Sequence, residues 1–259
     1  MIVPTMADMM AQGKQPEVLF WVGAAGSYDD RAKKISRAFV KILNEANVDF
    51  AVLGTEESST GDAAKRAGNE FLFQMQAMMN IEVLNGYEVK KIVTCDPHSF
   101  NTLKNEYPGL GGKYEVFHHT QFIHNLISEG RLEIDNTKLK GKRVTFHDPC
   151  YLGRSNDVYE SPRELIKRLG VNLTEMKRNK SSALCCGAGG AQMFKDAEKG
   201  DKEINILRTE DALETKPNII ATGCPYCNTM MTDGIKFKEK EKQVFVKDIA
   251  ELIAEANNL

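Results

Sequence analysis

The chain has 259 residues, which at roughly 150 residues per domain is one large domain or two small ones. Hydrophobic residues make up 42% and charged residues 27%, the composition of a soluble globular protein able to bury a full-sized core. Lys and Arg total 34 against 36 Asp and Glu, a net charge of -2, and that balance argues against nucleic-acid binding through bulk positive charge.

The N-terminal stretch MIVPTMADMMAQGKQPE lacks the long apolar core of a secretory signal. No run approaches the roughly 18 apolar residues of a membrane span, so the sequence predicts a cytoplasmic protein. A strand is predicted at 18–22 (VLFWV), a helix at 29–47, a strand at 50–53, a helix at 61–79 and strands at 91–94 and 114–117. A helix at 120–129 follows, and the polar stretch DNTKLKGK at 135–142 reads as a linker near the midpoint. Beyond it come strands at 143–146, 218–222 and 243–246, with helices at 161–169, 202–215 and 247–257. Short apolar runs alternating with longer helical patterns predict an α/β fold of βαβ units, with mostly parallel sheets flanked by helices.

The two halves read as copies of one another. A shift of 126 residues lays VLFWVGAAG, with Ala24, over RVTFHDPCY, with Cys150. The same shift lays Ser59-Thr60-Gly61 over Cys185-Cys186-Gly187. After a small change of register, Cys95-Asp96-Pro97-His98-Ser99 meets Cys224-Pro225-Tyr226-Cys227. Strand, small-residue loop and helix recur in the same order, which predicts two pseudo-repeated domains, 1–135 and 136–259.

The six cysteines are Cys95, Cys150, Cys185, Cys186, Cys224 and Cys227. A clustered set with two adjacent thiols and a C-x-x-C, in a chain without an export signal, points to metal, iron–sulfur or redox chemistry rather than a disulfide framework. HDPC, CCGAGG and GCPYC each follow a predicted strand. In a parallel sheet such loops gather at the carboxyl ends of the strands, so five distant thiols can converge. Thiolates suit soft metals and iron–sulfur clusters, and five exceed the four of a simple zinc site. Gly187, Gly189 and Gly190 would let the backbone pass close to inorganic sulfur and offer it N–H donors. A zinc ion on four of the five, or five buried structural thiols, remain alternatives.

Other signals carry blander readings. Cys95 stands alone and reads as a buried inert thiol. His147 and Asp148 could support the site from behind, but also fit a strand-end histidine and a turn aspartate. His118 and His119 read as structural or solvated, and Arg154 and Lys195 as surface cations close to the cysteine loops. The methionines of MADMMAQ and MQAMMN fit core or interface packing. KFKEKEK at 236–242 fits a solvated face, and GAGG at 187–190 lacks the spacing of a dinucleotide loop.

DPCYLGR, LCCGAGG and GCPYCNTMM resemble the cysteine-rich CCG domain. That domain occurs in one of the subunits of heterodisulfide reductase and in iron–sulfur subunits of glycolate and lactate oxidation systems. WVGAAGSYDDR, GDAAKRAGNEFLFQMQA and PHSFNTLKNEYP extend the resemblance over the first half, toward heterodisulfide-reductase-related proteins of quinone-linked oxidation in bacteria. The resemblance implies a noncubane [4Fe-4S] cluster on Cys150, Cys185, Cys186, Cys224 and Cys227. Ala24, Ser59, Thr60, Asp96 and Ser99 occupy the cysteine positions of the first copy, which should therefore hold no cluster. The implied function is an electron-transfer subunit of an oxidoreductase complex. Its expected partner is a ferredoxin-like iron–sulfur subunit that can be membrane-bound, with neither nucleic acid nor a membrane span of its own. Two other classes stay open: a zinc-binding structural or assembly subunit, and a thiol–disulfide oxidoreductase using the C-x-x-C.

Overall fold

The computed structural model describes residues 3–196 and 200–259. Its strands are β1 (Val18–Trp21), β2 (Phe50–Ala51), β3 (Lys91–Thr94), β4 (Glu115–His118), β5 (Arg143–Phe146), β6 (Asn172–Leu173), β7 (Ile219–Thr222) and β8 (Phe245–Asp248). They form two parallel four-stranded sheets, ordered β2-β1-β3-β4 and β6-β5-β7-β8. The topology is the same in both halves, so the predicted fold class and internal repeat are both present. Each order reverses direction between its first and third strands, which opens a crevice at the carboxyl ends of those strands.

The helices are α1 (Met6–Ala11), α2 (Gly23–Tyr28), α3 (Ala32–Glu45), α4 (Asp62–Arg66), α5 (Glu70–Gly86), α6 (Pro97–Asn101) and α7 (His119–Ser128) in the first half. The second half has α8 (Glu160–Arg168), α9 (Ile204–Glu214), α10 (Pro225–Phe237) and α11 (Ile249–Ala256). Helix α3 forms because Ile35, Phe39, Ile42 and Leu43 recur on one face and are buried, while Lys34, Arg37 and Lys41 recur on the other and are exposed. The central strands β1 and β7 are buried along their whole length, as strands covered on both faces must be.

Several boundaries differ from the sequence reading. The helix expected at 61–79 is broken in two. Gly68 turns left-handed at φ +87°, and Asn69 then caps α5 by accepting from the Leu72 N–H at 3.0 Å. The strand expected at 243–246 begins two residues later. Strand β6 and helix α10 have no counterpart among the predicted elements.

A large apolar core spans the halves: Phe20, Phe39 and Ile42 belong to the same cluster as Phe146, Leu165 and Ile253. Leu139, inside the stretch read as a linker, is buried in that cluster. Arg31 grips Glu251 with both terminal guanidinium nitrogens, at 2.8 and 2.7 Å, and buried His119 meets Asp248 at 3.0 Å. The two carboxyl-end crevices are thereby held against each other. No helix among the described residues is long and apolar enough to cross a membrane.

Candidate metal centre

Three loops of the second half supply the thiols. The first leaves β5 as His147-Asp148-Pro149-Cys150, and Asp148 fixes it. The Asp148 carboxylate accepts from both terminal nitrogens of Arg163, at 2.7 and 2.9 Å, and from the Lys180 N–H at 2.8 Å. Asp148 thus ties the Cys150 loop to α8 and to the segment leading into Cys185. The second loop follows that segment, where exposed Arg154 donates to the Ala183 carbonyl. The third is the β7–α10 turn. Here Cys224 is the N-cap of α10, with its Sγ accepting from the Cys227 N–H at 3.5 Å and Pro225 at the first helical position. The carbonyl of Gly223 accepts from Nε2 of His118 at 3.0 Å, so a buried first-half histidine pins the loop that carries Cys224.

All five thiols meet. Their sulfurs lie within hydrogen-bonding reach in the chain Cys150, Cys185, Cys186, Cys227, Cys224. Cys186, Cys224 and Cys227 are buried, Cys150 and Cys185 half-buried. Hydrogen bonds from Cys150 and Cys186, against the cost of burial, push the Cys185 thiol far down, and the Gly187 N–H at 3.3 Å adds to them. The same contacts push Cys150, Cys186 and Cys227 up. Thiolates this close repel one another. Holding several as thiolates together requires a cation among them. A C-x-x-C disulfide exchanger needs an accessible low-pKa thiolate, whereas Cys224 is 1% exposed.

The surroundings complement negative charge. Arg208 is fully buried. Its Nε donates to Nδ1 of His147 at 2.9 Å and one terminal nitrogen to the Arg178 carbonyl at 2.6 Å. Its other terminal nitrogen, Nη2, is buried without a partner among the described residues, and such a cost is offset only by a nearby acceptor. Burial, and then Arg208, push His147 down to about 3. His147 is therefore neutral, and accepting at Nδ1 it must carry its proton on Nε2. One of its ring nitrogens lies within 4.8 Å of the Cys186 and Cys227 sulfurs. A protonated Nε2 cannot ligate a metal; it can donate to sulfur. Of the cations read from sequence, Arg154 and Lys195 are both exposed, and the buried charge comes from Arg208 instead. Cys95 sits apart from the five, in the shared apolar core.

Gly187 is required twice over. Its φ is +94°, and an added Cβ would lie 2.5 Å from Ile204 Cγ2. Gly187→Ala is expected to lower unfolding free energy by about 1–3 kcal/mol, by strain and by overpacking, measured by urea denaturation. An unchanged midpoint would contradict this.

His98 was not among the residues singled out from sequence. Its imidazole sits against Tyr151 and Tyr226, with ring centroids 4.5 and 5.4 Å away, each tyrosine next to a cysteine or one residue from it. Nδ1 pairs with Asp62 at 3.0 Å, and a ring nitrogen lies within 4.8 Å of the Cys224 sulfur and an Asp96 oxygen. The available signal was its place between Asp96 and Ser99, the C-x-x-C positions of the first copy. Burial opposes charge on His98, but the Asp62 hydrogen bond and the charges of Asp96 and Cys224 outweigh it and hold it up to about 9. A histidine raised above its unfolded value stabilises the fold fully below about pH 6.5, and that contribution fades as pH rises to about 9. The expected loss across this window is about 3 kcal/mol, absent from His98→Gln. Equal pH slopes of the urea midpoint in the two proteins would contradict it.

Comparisons with known proteins agree with this architecture. A family described as the CCG cysteine-rich domain matches residues 18–104 and again 144–232. The chain is 49% identical over 255 residues to the "Probable iron-sulfur-binding oxidoreductase FadF" of Bacillus subtilis, covering 98% of this chain and 36% of that protein. It is 44% identical over 261 residues to the "EtfAB:quinone oxidoreductase" of Syntrophomonas wolfei, again covering 98% and 36%. With one subunit of the dihydromethanophenazine:CoB--CoM heterodisulfide reductase of Methanosarcina barkeri it shares 33% identity over 254 residues, 94% of this chain and 59% of that one. The chain thus spans about a third of the length of the first two relatives.

Proposed function

The chain belongs to the CCG cysteine-rich domain family, and from that membership we propose that it is an iron–sulfur electron-transfer subunit of a larger oxidoreductase. In this reading Cys150, Cys185, Cys186, Cys224 and Cys227 hold one noncubane [4Fe-4S] cluster, with the backbone of Gly187 and Gly189 beside it. Residues 136–259 carry it, and residues 1–135 form a copy without ligands.

The observation that carries the proposal is the contiguous run of five sulfurs beside a buried guanidinium, that of Arg208, one of whose nitrogens has no acceptor among the described residues. That set of donors suits a polynuclear, negatively charged group. A bound cluster supplies one-electron transfer. Burial of Cys186, Cys224 and Cys227 keeps water from that side, and Arg208 offsets negative charge. His147 presents its Nε2–H to sulfur, and half-buried Cys150 and Cys185 mark the side through which electrons pass. The partner proposed is a ferredoxin-like iron–sulfur subunit linked to quinone at the membrane, with this chain peripheral to it. The iron–sulfur and quinone names of the relatives and their greater length support that assembly.

Zinc has one observation in its favour: His147, Cys186 and Cys227 offer donors within 4.8 Å of one another. The Arg208 hydrogen bond to Nδ1 weighs against it, because Nε2 is then protonated. A potentiometric titration followed by visible absorbance and electron paramagnetic resonance tests the redox proposal. A reversible transition of about one electron per chain is expected. A protein without a paramagnetic state at any accessible potential would overturn it.

A further inference from the structure

The five positions that carry thiols in the second copy are Ala24, Ser59, Thr60, Asp96 and Ser99 in the first, and all five line one cavity. Its volume is about 60 Å³. Since roughly 10–15 Å³ of such space holds one water, the cavity takes about four to six heavy atoms. The wall acids are already committed. Asp96 accepts from the His98 and Ser99 N–H groups and the Ser99 hydroxyl, at 3.0, 3.1 and 2.7 Å. Asp62 accepts from His98 and from Arg66 Nε, at 3.0 and 3.1 Å.

The groups left for a ligand are donors. The Ser59 hydroxyl oxygen accepts from the Gly61 N–H at 3.2 Å, which leaves its proton free. Gly190 and Ala191 line the cavity, and among the described residues their N–H groups meet no acceptor. The second nitrogen of His98 makes no hydrogen bond within the described chain. Trp21 and Met193 complete an apolar side.

We propose that this cavity binds a small carboxylate, its oxygens held by Ser59, His98 and the peptide N–H groups of Gly190 and Ala191, and its short hydrocarbon end against Trp21. Inorganic phosphate fits less well, because its second charge would face Asp62 and Asp96 and it has no apolar end. The cavity borders the thiol site through Gly189, Gly190 and Tyr226, but the proposal rests on the cavity's own lining and not on which metal the thiols hold.

Trp21 is the sole tryptophan of the chain, so its fluorescence reports on this cavity directly. Anaerobically purified full chain is titrated with acetate, glycolate, phosphate and, at matched ionic strength, chloride. Acetate and glycolate are expected to change Trp21 emission saturably, with chloride inert and phosphate weaker. His98→Gln should weaken acetate binding at least tenfold and Ser59→Val several-fold. An acetate response no different from chloride, tighter binding of phosphate, or unaltered affinity in both variants would overturn the proposal. Iron assayed on the same samples separates the two ideas. Iron-loaded protein blind to acetate refutes the cavity alone, while iron-free protein that binds acetate supports the cavity and counts against the cluster.

Discussion

Cys186→Ser protein, purified without oxygen, is expected to be colourless and to hold less than about a tenth of the wild-type iron. Cys186 links the Cys150–Cys185 pair to the Cys227–Cys224 pair, so its loss divides the donor set in two. A serine hydroxyl at this buried position is a poor thiolate substitute for soft iron. Cys150→Ser should be milder, since Cys150 stands at the half-exposed end of the run. Cys95→Ser is the control: that thiol lies in the apolar core, where burial pushes it well above its usual range, and iron content should not change. Iron lost from Cys95→Ser, or retained in Cys186→Ser, would contradict the assignment of the five thiols to one centre.

The second large effect is expected at Arg163. This residue is 2% exposed and its guanidinium forks onto Asp148, itself buried, while Nε and Nη2 reach Glu175 at 2.7 and 2.9 Å. Arg163→Ala leaves the Asp148 carboxylate buried with only the Lys180 N–H as partner. Breaking such a pair on one side costs about 3–5 kcal/mol. Because Asp148 precedes Cys150 by two residues, the variant should also retain less iron. The double variant Arg163→Met, Asp148→Leu should recover much of the stability without restoring iron, since no buried charge is left but the loop has lost its clamp. Urea denaturation and iron assay check both halves of this prediction. A single variant within about 1 kcal/mol of wild type would contradict the burial argument.

The sheets were legible in the sequence for a physical reason: strands covered on both faces must be apolar runs, and VLFW, RVTF and IIAT are short and bounded. The duplication was legible because loop positions kept their spacing after their chemistry diverged. Strand β6 escaped notice because its two residues are only partly covered and it lacks an apolar run. Helix α10 was hidden by its own motif, since PYCNTMM reads as metal-binding loop chemistry although Pro225 at the first position and Cys224 as cap are also a helix start. The break at Gly68-Asn69 was readable from residue types alone.

The five cysteines were legible as a set because two adjacent thiols and a C-x-x-C, each just after a strand, have few reasons to recur besides metal or redox chemistry. The residues around them were not. Arg208 and Arg163 sit in helices of ordinary charged composition, and nothing in ILRTEDALE or ESPRELIKR marks one arginine as buried. Their importance comes from the cost of burying charge, which only the packed arrangement reveals. His98 belongs to the first copy but stands among the tyrosines and glycine of the second, a meeting created by the shared core and invisible to spacing within either half.

The most direct test is elemental: iron, acid-labile sulfide and zinc per chain in anaerobically purified wild-type protein. The expected result is about four iron and four sulfide with negligible zinc, as a [4Fe-4S] group on five thiolates requires. About one zinc per chain, with no labile sulfide, would contradict the iron–sulfur assignment.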